Sequence, residues 1–471
     1  MADISCLLTH GYFLFEDPLE QEIMRPYPPL GILYITSHLE RAGFDVDVYD
    51  STFGSFAGFE AELDARKPPV VGIYANLMTR RRVLDMIQAC RRRNIYVVVG
   101  GPDPAGYVEE YLDHGADVVA TGEGELTLEQ LIPHLIDKGP VDLGAIDGTI
   151  SRDGDGHLLR APARAQIKDL DGQPFPARHK IDMQRYVDVW REHHGRGSVS
   201  MITARGCPYK CTWCSHGVYG YSHRRRSPEN VVDEMEEIID RYAPDMVWYA
   251  DDVFTIHKGW MSKYAAELDR RGIKMPFETI SREDRLNEDM VKLLADMACF
   301  RLWIGSESGS QKILDAMQRR TDAARVREMV KCLQQHGIEA GMFIMLGYDG
   351  EEEEDLVETV EHLKAAPPDQ FLTTVAYPIK GTPYYTQVED RIVARRAWAE
   401  GSDRDFTVLG RKSQRYYRHA TRWMVNEVAW HSYLKGVRGG PLGAAKAFVN
   451  ARVGRLGMFL ARHELETGEP A

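Results

Sequence analysis

The chain has 471 residues and a net charge of −13, and 44% of its residues are hydrophobic. This length allows two to three domains of ordinary globular composition, and the acidic balance argues against a nucleic-acid-binding scaffold. The sequence has no uncharged apolar run of about 18 residues that would span a membrane, no N-terminal export signal and too few cysteines for a disulfide framework. We therefore expect a cytoplasmic protein in a reducing compartment.

Residues 1–138 alternate five times between strand-like and helix-like segments. The third and fourth strands are continuous apolar runs, which is typical of strands covered on both faces. The pattern predicts a doubly wound, Rossmann-like parallel sheet of the α/β class. Predicted strands lie at 4–8, 44–49, 70–74, 95–99 and 118–120, and predicted helices at 30–42, 56–66, 80–92, 106–113 and 127–138.

The turns after these predicted strands are rich in glycine and small polar residues. Ligands of doubly wound sheets bind beyond the carboxyl ends of the strands, and glycine lets a bulky ligand approach the backbone closely. None of the turns contains the Gly-x-Gly-x-x-Gly fingerprint, so NAD is not the expected ligand. The turns lie at 9–11, 50–52, 76–79, 100–102 and 121–125.

Residues 139–198 are predicted to be a connector with a small hairpin, because the turn Asp153–Gly156 separates two short strand-like runs. Residues 199–385 again alternate between strand and helix. We predict six strands here, which fits a partial barrel with its site at the carboxyl ends of the strands. These strands lie at 199–203, 246–249, 276–280, 300–304, 340–345 and 371–375.

Residues 386–471 are predicted to be a helical, aromatic C-terminal segment. Tyr416, Trp423 and Trp430 recur at seven-residue intervals, so they share roughly one helix face. We expect this segment to be a cap on the barrel, with a part in lining the substrate site. Residues 385–471 carry 15 Lys and Arg against 9 Asp and Glu, so the segment either faces an acidic ligand or presents an ordinary solvated surface.

Three cysteines lie close together just after the first predicted barrel strand. Cys207, Cys211 and Cys214 have the spacing Cys-x3-Cys-x2-Cys, which lets their thiolates converge on one metal centre. In a 4Fe–4S cluster each thiolate binds one iron, so three thiolates leave one iron open, as a catalytic metal site requires. A zinc site with His216 as the fourth ligand also fits this spacing, as do three unrelated buried cysteines.

The cysteine motif, with Trp213 before its last cysteine, resembles the signature of the radical S-adenosylmethionine (SAM) superfamily. The resemblance implies a (β/α)6 partial barrel and a 4Fe–4S cluster on Cys207, Cys211 and Cys214, with the open iron bound by SAM. It places Trp213 near the adenine of SAM. Further SAM contacts are expected where the barrel strands end, at Ala250, Asp251, Asp252, Ser281, Ser306 and Glu307.

The N-terminal pattern, joined to this motif, resembles the cobalamin-binding domain of cobalamin-dependent radical SAM enzymes. It has Pro28-Pro29-Leu30-Gly31 early and Gly-Gly-Pro and Gly-Glu-Gly-Glu turns late, and the resemblance covers residues 1 to about 385. No Asp-x-His-x-x-Gly motif supplies a cobalt ligand, and the loop 76–79 is expected to cover the lower face of cobalamin. The expected cobalamin-binding residues are Thr9, Asn76, Leu77, Met78, Thr79, Gly101, Pro102, Gly122, Glu123 and Glu125.

The resemblance implies four regions: a cobalamin domain at 1–138, a connector at 139–198, a radical SAM barrel at 199–385 and a helical cap at 386–471. The implied reaction is methylation of an unactivated carbon of a small molecule or pigment, through a 5′-deoxyadenosyl radical and methylcobalamin. The implied partners are a small-molecule substrate and an electron donor such as flavodoxin or ferredoxin. A cyclase like the anaerobic Mg-protoporphyrin ester cyclase is the alternative, and a cobalamin- or redox-sensing module is a third. Methylthiotransferases are disfavoured because residues 1–138 contain only Cys6 and Cys90.

Overall fold

The computed structural model describes residues 4–436 and 439–467, which divide into two compact units. Unit 1 comprises the residues up to Pro208, Ser215–Ala250 and Arg396–Ser402. Unit 2 comprises Tyr209–Cys214, Asp251–Arg395 and the residues from Asp403 onward. None of the described helices has the length and apolarity that crossing a bilayer requires.

Unit 1 is built on a seven-stranded sheet in the order β2-β1-β3-β4-β5-β6-β7. The first five strands are parallel, in the order known from flavodoxin-like folds. β6 and β7 extend the β5 edge as an antiparallel hairpin. The strands are β1 (Cys6–His10), β2 (Val46–Tyr49), β3 (Val70–Tyr74), β4 (Tyr96–Gly100), β5 (Val118–Ala120), β6 (Thr149–Arg152) and β7 (Leu158–Arg160).

Helices cover both faces of this sheet, so alternate residues of a strand enter different cores. Val97 and Val99 of β4 pack into one core, and Val98 between them packs into the other. This arrangement explains the continuous apolar runs in the sequence. The helices of this region are α1 (Pro18–Ile23), α2 (Leu30–Arg41), α3 (Phe56–Arg66), α4 (Arg80–Arg91), α5 (Pro102–Gly106), α6 (Val108–Asp113) and α7 (Glu125–Lys138).

The rest of unit 1 follows the hairpin. A helix that was not predicted, α8 (Met183–His194), lies in the connector, and Tyr186 on it donates a hydrogen bond to Asp50 at the end of β2. β8 and β11 pair in parallel, and β9 and β10 form a small antiparallel pair. The elements are β8 (Ser198–Met201), β9 (Ala204–Arg205), β10 (Arg224–Arg225), α9 (Pro228–Tyr242) and β11 (Met246–Tyr249).

A short segment from late in the chain, Arg396–Ser402, belongs to unit 1. The indole of Trp398 packs edge-on against Tyr111, with 5.3 Å between the ring centroids. The Arg80 guanidinium lies 5.0 Å from the Trp398 ring and is also paired with the buried carboxylate of Asp103. Trp398 therefore stabilises the face of the sheet that α4 and α6 cover, rather than the helical segment in which the sequence placed it.

Unit 2 contains four parallel strands in the order β15-β14-β13-β12, flanked by helices. Together with β8 and β11 of unit 1, these are the six strands predicted for residues 199–385. The strands are β12 (Phe277–Ser281), β13 (Cys299–Glu307), β14 (Glu339–Leu346) and β15 (Gln370–Val375), and the helices are α10 (Lys258–Arg270), α11 (Glu288–Asp296), α12 (Gln311–Ala316), α13 (Ala323–Gln335), α14 (Glu353–Ala365) and α15 (Pro383–Val388).

The C-terminal part of unit 2 contains a two-stranded antiparallel pair, β16 (Ile392–Ala394) and β17 (Phe406–Val408). Two long helices follow, α16 (Gln414–Leu434) and α17 (Pro441–Ala461), and they pack against each other in antiparallel orientation. Tyr416 and Trp423 on α16 are buried, which supports a packed cap. Long helices of the predicted helical segment thus begin only at Gln414, and its residues 437–438 and 468–471 lie outside the described part of the chain.

The α/β class and the doubly wound sheet are confirmed, and several predicted boundaries are corrected. The first strand lies two residues later than predicted, at Cys6–His10. The predicted helix 106–113 is two short helices, because Tyr107 between them has non-helical dihedral angles of −132° and 47°. The hairpin in the connector forms as predicted, but its position at the sheet edge could not be read from the local sequence.

Candidate active site

Unit 1 contains a cavity of about 490 Å³ at the carboxyl ends of its parallel strands. Leu8 of β1 and Gly72 of β3 both line it, so it lies at the point where the strand order reverses, the usual ligand position in open α/β sheets. Its wall is completed by the residues before α2, by the turns after β4 and β5, and by Ile202, Arg205, Val218 and Tyr219.

Glycines shape this cavity. A Cβ atom at Gly31, the second residue of α2, would meet no protein atom within 4 Å, so the space in front of it is left for a ligand. Gly101 has a φ of +107°, and a Cβ there would lie 2.3 Å from the carbonyl oxygen of Ala75. Only glycine fits that turn without strain. A glycine-lined cavity at the switch point fits a bulky ligand such as the corrin or nucleotide portion of cobalamin.

The structure brings five of the ten expected cobalamin residues to the cavity wall: Asn76, Gly101, Gly122, Glu123 and Glu125. The other five, Thr9, Leu77, Met78, Thr79 and Pro102, are not among the residues that line it. The Thr9 hydroxyl is buried and donates a hydrogen bond of 2.8 Å to the carbonyl of Tyr49, so it links two strands.

The loop Asn76–Thr79 is a compact turn closed by its own hydrogen bonds. The Met78 amide donates to Asn76 Oδ1 at 2.9 Å, and the Asn76 amide donates to Thr79 Oγ1 at 3.1 Å. Met78 at its tip is half exposed. His10 is bound to the Asp50 carboxylate at 3.1 Å, and none of the histidines among the described residues up to Lys138 lines the cavity.

Arg205 is a cavity residue that sequence reasoning missed. Its two terminal nitrogens lie 2.6 Å from Glu123 and 2.6 Å from Glu125 in a buried pair of salt bridges. The neighbouring carboxylates raise the pKa of Arg205 despite its burial. Glu123 also accepts from Arg224 at 2.7 Å. These ion pairs hold the turn after β5 against the strand that leads into the cysteine motif. The sequence signal that could have identified Arg205 is its position directly before Gly206-Cys207.

Gly206 sets the direction of the chain as it enters the cysteine motif. Its φ is +84°, and a Cβ atom there would lie 2.4 Å from the Ser222 carbonyl oxygen. Cys207, the next residue, is half buried in unit 1. His216, the possible zinc ligand, packs against Tyr221 with 4.3 Å between the ring centroids.

Cys211 and Cys214 lie in unit 2, in a loop held by backbone and side-chain hydrogen bonds. The Thr212 amide donates to the Met317 carbonyl at 3.1 Å, and the Tyr384 amide donates to the Thr212 carbonyl at 2.9 Å. Cys214 is exposed, and its amide donates to the Cys211 carbonyl at 3.2 Å. The loop is thus fixed by its neighbours, and Cys214 at its end is exposed.

A guanidinium group lies beside the buried Cys211 thiol. Arg282 Nη1 donates to Cys211 Sγ at 3.8 Å, and Arg282 also donates to the Arg319 carbonyl at 2.9 Å. The ring of Tyr209 lies under the same guanidinium at 3.9 Å. Burial raises the pKa of the Cys211 thiol, and the positive charge of Arg282 counteracts part of that rise. A cation beside a thiol favours the thiolate that metal binding requires.

Trp213, expected near the adenine of SAM, is partly buried against an apolar cluster of unit 2. This cluster comprises Ile313, Met317, Met345, Tyr348, Ala376, Tyr384, Val388 and Val408. Ala250, Asp251 and Asp252 directly follow β11. Ala250 and Asp252 are exposed, and Asp251 between them is buried. Ser281 is buried, and its hydroxyl is hydrogen bonded to Thr255.

Ser306 and Glu307 end β13 but have different surroundings. Ser306 Oγ lies 3.0 Å from His362 Nε2, and Arg327 donates to His362 Nδ1 at 3.1 Å. Burial lowers the pKa of His362 to about 4, so the neutral ring donates to Ser306. The Ser306 hydroxyl is therefore already engaged inside the protein.

Glu307 occupies a strained position at the same strand end. Its φ is +61°, and the pairing of β13 with β14 shifts register between Gly305 and Glu307. A left-handed conformation at a non-glycine residue costs on the order of 1–3 kcal/mol and is concentrated at functional sites. Burial, reinforced by the Glu283 carboxylate, raises the pKa of Glu307 to about 8. Glu307 is thus the expected SAM residue with the clearest structural sign of function.

Comparisons with known proteins agree with these features. The model of the radical SAM superfamily matches residues 201–363, which include all three motif cysteines. The model of the B12 binding domain matches residues 21–132, which include most of the cavity wall.

Curated relatives share about a quarter of their residues with the chain. A protein from Pyrococcus horikoshii named uncharacterized methyltransferase PH0819 is 27% identical over 377 residues, which is 78% of this chain and 80% of the relative. The anaerobic magnesium-protoporphyrin IX monomethyl ester cyclase of Rubrivivax gelatinosus is 24% identical over 382 residues, 79% of this chain and 68% of the relative.

A solved structure extends the agreement to the whole fold. The radical S-adenosylmethionine methyltransferase TsrM from Kitasatospora setae, determined with cobalamin and a [4Fe-4S] cluster bound, superposes with a TM-score of 0.71 at 16% identity. The match covers 98% of this chain and 100% of TsrM. With both domain models matched in one chain, the protein combines a radical SAM domain with a B12-binding domain, and the cofactors that these domains imply are a 4Fe–4S cluster, S-adenosylmethionine and cobalamin.

Proposed function

We propose that this protein is a methyltransferase that adds a methyl group to a carbon atom of a small molecule. The observation that carries the proposal is the open, glycine-lined cavity at the switch point of the unit 1 sheet, in front of Gly31. A methyltransferase needs such room for a methyl-carrying cofactor in addition to SAM. The names of the Pyrococcus relative and of TsrM, both methyltransferases, support this reaction class.

The three cysteines of the motif are the proposed ligands of the cluster. Cys211 is buried beside Arg282, whose guanidinium would stabilise a thiolate and a reduced, more negative cluster. Cys207 and Cys214 complete the proposed set. When bound, the cluster and SAM supply the radical that removes a hydrogen atom from carbon, and cobalamin supplies the methyl group. Electrons would come from a donor such as flavodoxin or ferredoxin.

The strand ends of unit 2 supply the proposed contacts to SAM. Glu307 presents a strained, buried carboxyl group there, and Ser281 presents a buried hydroxyl. Ala250, Asp251, Asp252 and Trp213 remain proposed contacts as well. Ser306 and Ser281 offer less than Glu307, because their hydroxyls already bind His362 and Thr255.

In unit 1, we propose that cobalamin binds in the cavity with no histidine on cobalt. His10 is engaged with Asp50, and the Asn76–Thr79 turn has no histidine. Electron paramagnetic resonance of the protein loaded with cob(II)alamin should therefore lack nitrogen hyperfine coupling from an axial histidine. Coupling to a protein nitrogen would contradict this part of the proposal.

The cluster assignment is tested with a matched pair of cysteine variants. Anaerobically reconstituted Cys211→Ser should lose most of its cluster iron and its cleavage of SAM. Cys332→Ser, which replaces a cysteine of α13 in the same unit, should keep both. Equal iron content and SAM cleavage in the two variants would overturn the assignment of Cys211.

The reaction class is tested by product analysis with the true substrate. Methyl transfer uses SAM in two roles, so 5′-deoxyadenosine and S-adenosylhomocysteine should form in nearly equal amounts alongside a methylated product. The similarity to the Rubrivivax cyclase favours a second candidate, oxidative ring closure without methyl transfer. In that case 5′-deoxyadenosine would form without S-adenosylhomocysteine, and the substrate would lose hydrogen and gain no carbon.

A further inference from the structure

Helix α17 has its small residues on the inside and its large apolar residues on the outside. The face toward α16 consists of Ala447, Ala451, Gly454, Gly457, Met458 and Ala461, all of which are buried. A Cβ atom at Gly454 would lie 2.6 Å from the Trp423 backbone nitrogen, and one at Gly457 would lie 2.3 Å from the His419 ring. The two helices therefore approach closely, and Met458 is the one long side chain among these six buried residues.

The opposite side of α17, which we term the outer face, exposes seven large apolar side chains. Leu442 is 86% exposed, Leu456 is 58% exposed and Leu460 is 61% exposed. The outer face consists of Leu442, Phe448, Val449, Val453, Leu456, Phe459 and Leu460. Single exposed apolar residues are ordinary, but a continuous set of this kind marks an interaction surface.

The spacing of these residues makes the outer face one continuous stripe. Leu442, Val449, Val453, Leu456 and Leu460 are separated by seven, four, three and four positions, which places them along one side of a helix. At 1.5 Å per residue, the stripe is about 27 Å long.

The charged residues that α17 itself contributes are all positive, and two of them also lie near carboxylates of other helices, Arg452 at 3.6 Å from Glu427 and Arg455 at 2.8 Å from Glu353. Residues 439–463 contain four Lys and Arg and no Asp or Glu, in a chain whose net charge is −13. The Arg452 guanidinium lies 5.0 Å from the Phe448 ring, and the Arg462 guanidinium lies 3.7 Å from the Phe459 ring. Both cations thus lie over aromatic members of the outer face, and long basic side chains of this kind extend toward the polar side of an interface.

We propose that the outer face of α17 docks the protein onto an anionic membrane surface. Its apolar side chains would enter the boundary between head groups and acyl chains, and Lys446, Arg452 and Arg462 would meet lipid phosphates. A helix that combines exposed Leu, Val and Phe with Lys and Arg binds in the plane of such an interface, and each basic residue adds attraction to anionic lipid.

A second copy of the chain fits this face less well. Helix pairs that associate through an apolar stripe select their partners with oppositely charged residues beside it. Here the polar residues in and beside the stripe are Lys446, Asn450 and Arg452, and none of them is an acidic residue that could pair with Lys446 or Arg452 of another copy. The proposal does not depend on the reaction that the enzyme catalyses.

The test is co-sedimentation of the full-length protein with lipid vesicles. We expect binding to phosphatidylcholine vesicles containing about 30% phosphatidylglycerol, at least about tenfold weaker binding to pure phosphatidylcholine, and release at high salt. A Val449→Glu/Leu456→Glu variant should bind the anionic vesicles at least about tenfold more weakly. An Ile136→Glu/Val141→Glu variant makes the same charge change at exposed residues of unit 1 and should bind like the wild type.

Three outcomes would overturn the proposal. The wild type could fail to bind anionic vesicles at low salt, or bind both vesicle types equally. Alternatively, light scattering could show a dimer that only the α17 variant converts to a monomer, which would make the outer face a contact between copies. Because vesicle binding is measured without turnover, none of these results bears on the methyltransferase proposal. Equal thermal unfolding of the two variants is the control for folding.

Discussion

Glu351, just beyond β14, is expected to make the stability of this protein depend on pH. Its carboxylate accepts a hydrogen bond of 2.6 Å from the Gly347 amide, and its Oε1 atom is buried without a hydrogen-bond partner. Burial raises the pKa of Glu351 to about 8 from its ordinary value of 4.5. Below pH 4.5 the group is protonated in both states and costs nothing. Between pH 4.5 and 8 the folded state retains a proton that the unfolded state has lost, so stability falls as pH rises.

The size of this effect follows from the shift. At about 1.36 kcal/mol per pKa unit, the full penalty above pH 8 is about 4–5 kcal/mol. Glu351→Gln keeps the shape and removes the titration. The free energy of unfolding of the Glu351→Gln variant, minus that of the wild type, should therefore rise by about 4 kcal/mol between pH 5 and pH 9.

Urea unfolding at a series of pH values measures this difference. Glu358→Gln replaces an exposed glutamate of α14 and is the control for loss of a carboxylate. The Glu358→Gln difference from the wild type should stay nearly constant with pH. If the Glu351→Gln difference is equally flat, the buried carboxyl group is not protonated at neutral pH and the reasoning fails.

Three further predictions concern the cofactor sites. Gly31→Leu should weaken cobalamin binding at least about tenfold. It should not lower stability, since the new Cβ atom would face open space. The control Gly259→Leu, at the second position of α10, should leave cobalamin affinity unchanged in the same titration. Arg205→Met should lower the free energy of unfolding by about 3–5 kcal/mol because Glu125 loses its paired cation, and Arg205→Met/Glu125→Gln should recover part of that loss in urea unfolding. Gly206→Ala should reduce the iron bound after reconstitution, because its left-handed φ and its contact with Ser222 force the motif to shift; unchanged iron content would show that the turn tolerates a side chain.

Local sequence patterns were sufficient for the class of fold. Val70–Tyr74 and Val118–Ala120 are strands with the predicted bounds, because their apolar runs and flanking turns leave no competing structure. The radical SAM and cobalamin assignments rested on the resemblance of the cysteine motif and the turn residues to known families, and both domain models match.

The wall of the cavity could be predicted only in part. Which strand ends meet depends on the order β2-β1-β3-β4-β5, and no local pattern encodes that order. Thr9 therefore looked equivalent to Asn76, although Thr9 bonds within the sheet and Asn76 lines the cavity. Arg205 was missed for the related reason that its partners, Glu123 and Glu125, lie some 80 residues earlier in the chain.

The membership of Trp398 in unit 1 has a consequence for how the protein is made. The last of the helices that cover the doubly wound sheet ends at Lys138, and 259 further residues are translated before Trp398. At about 5–20 residues per second, its partners Tyr111 and Arg80 wait roughly 10–50 s for the indole that packs against them. During that interval a ribosome-bound nascent chain exposes this side of the first core to chaperones and proteases, and a fragment expressed as residues 1–138 keeps that exposure permanently.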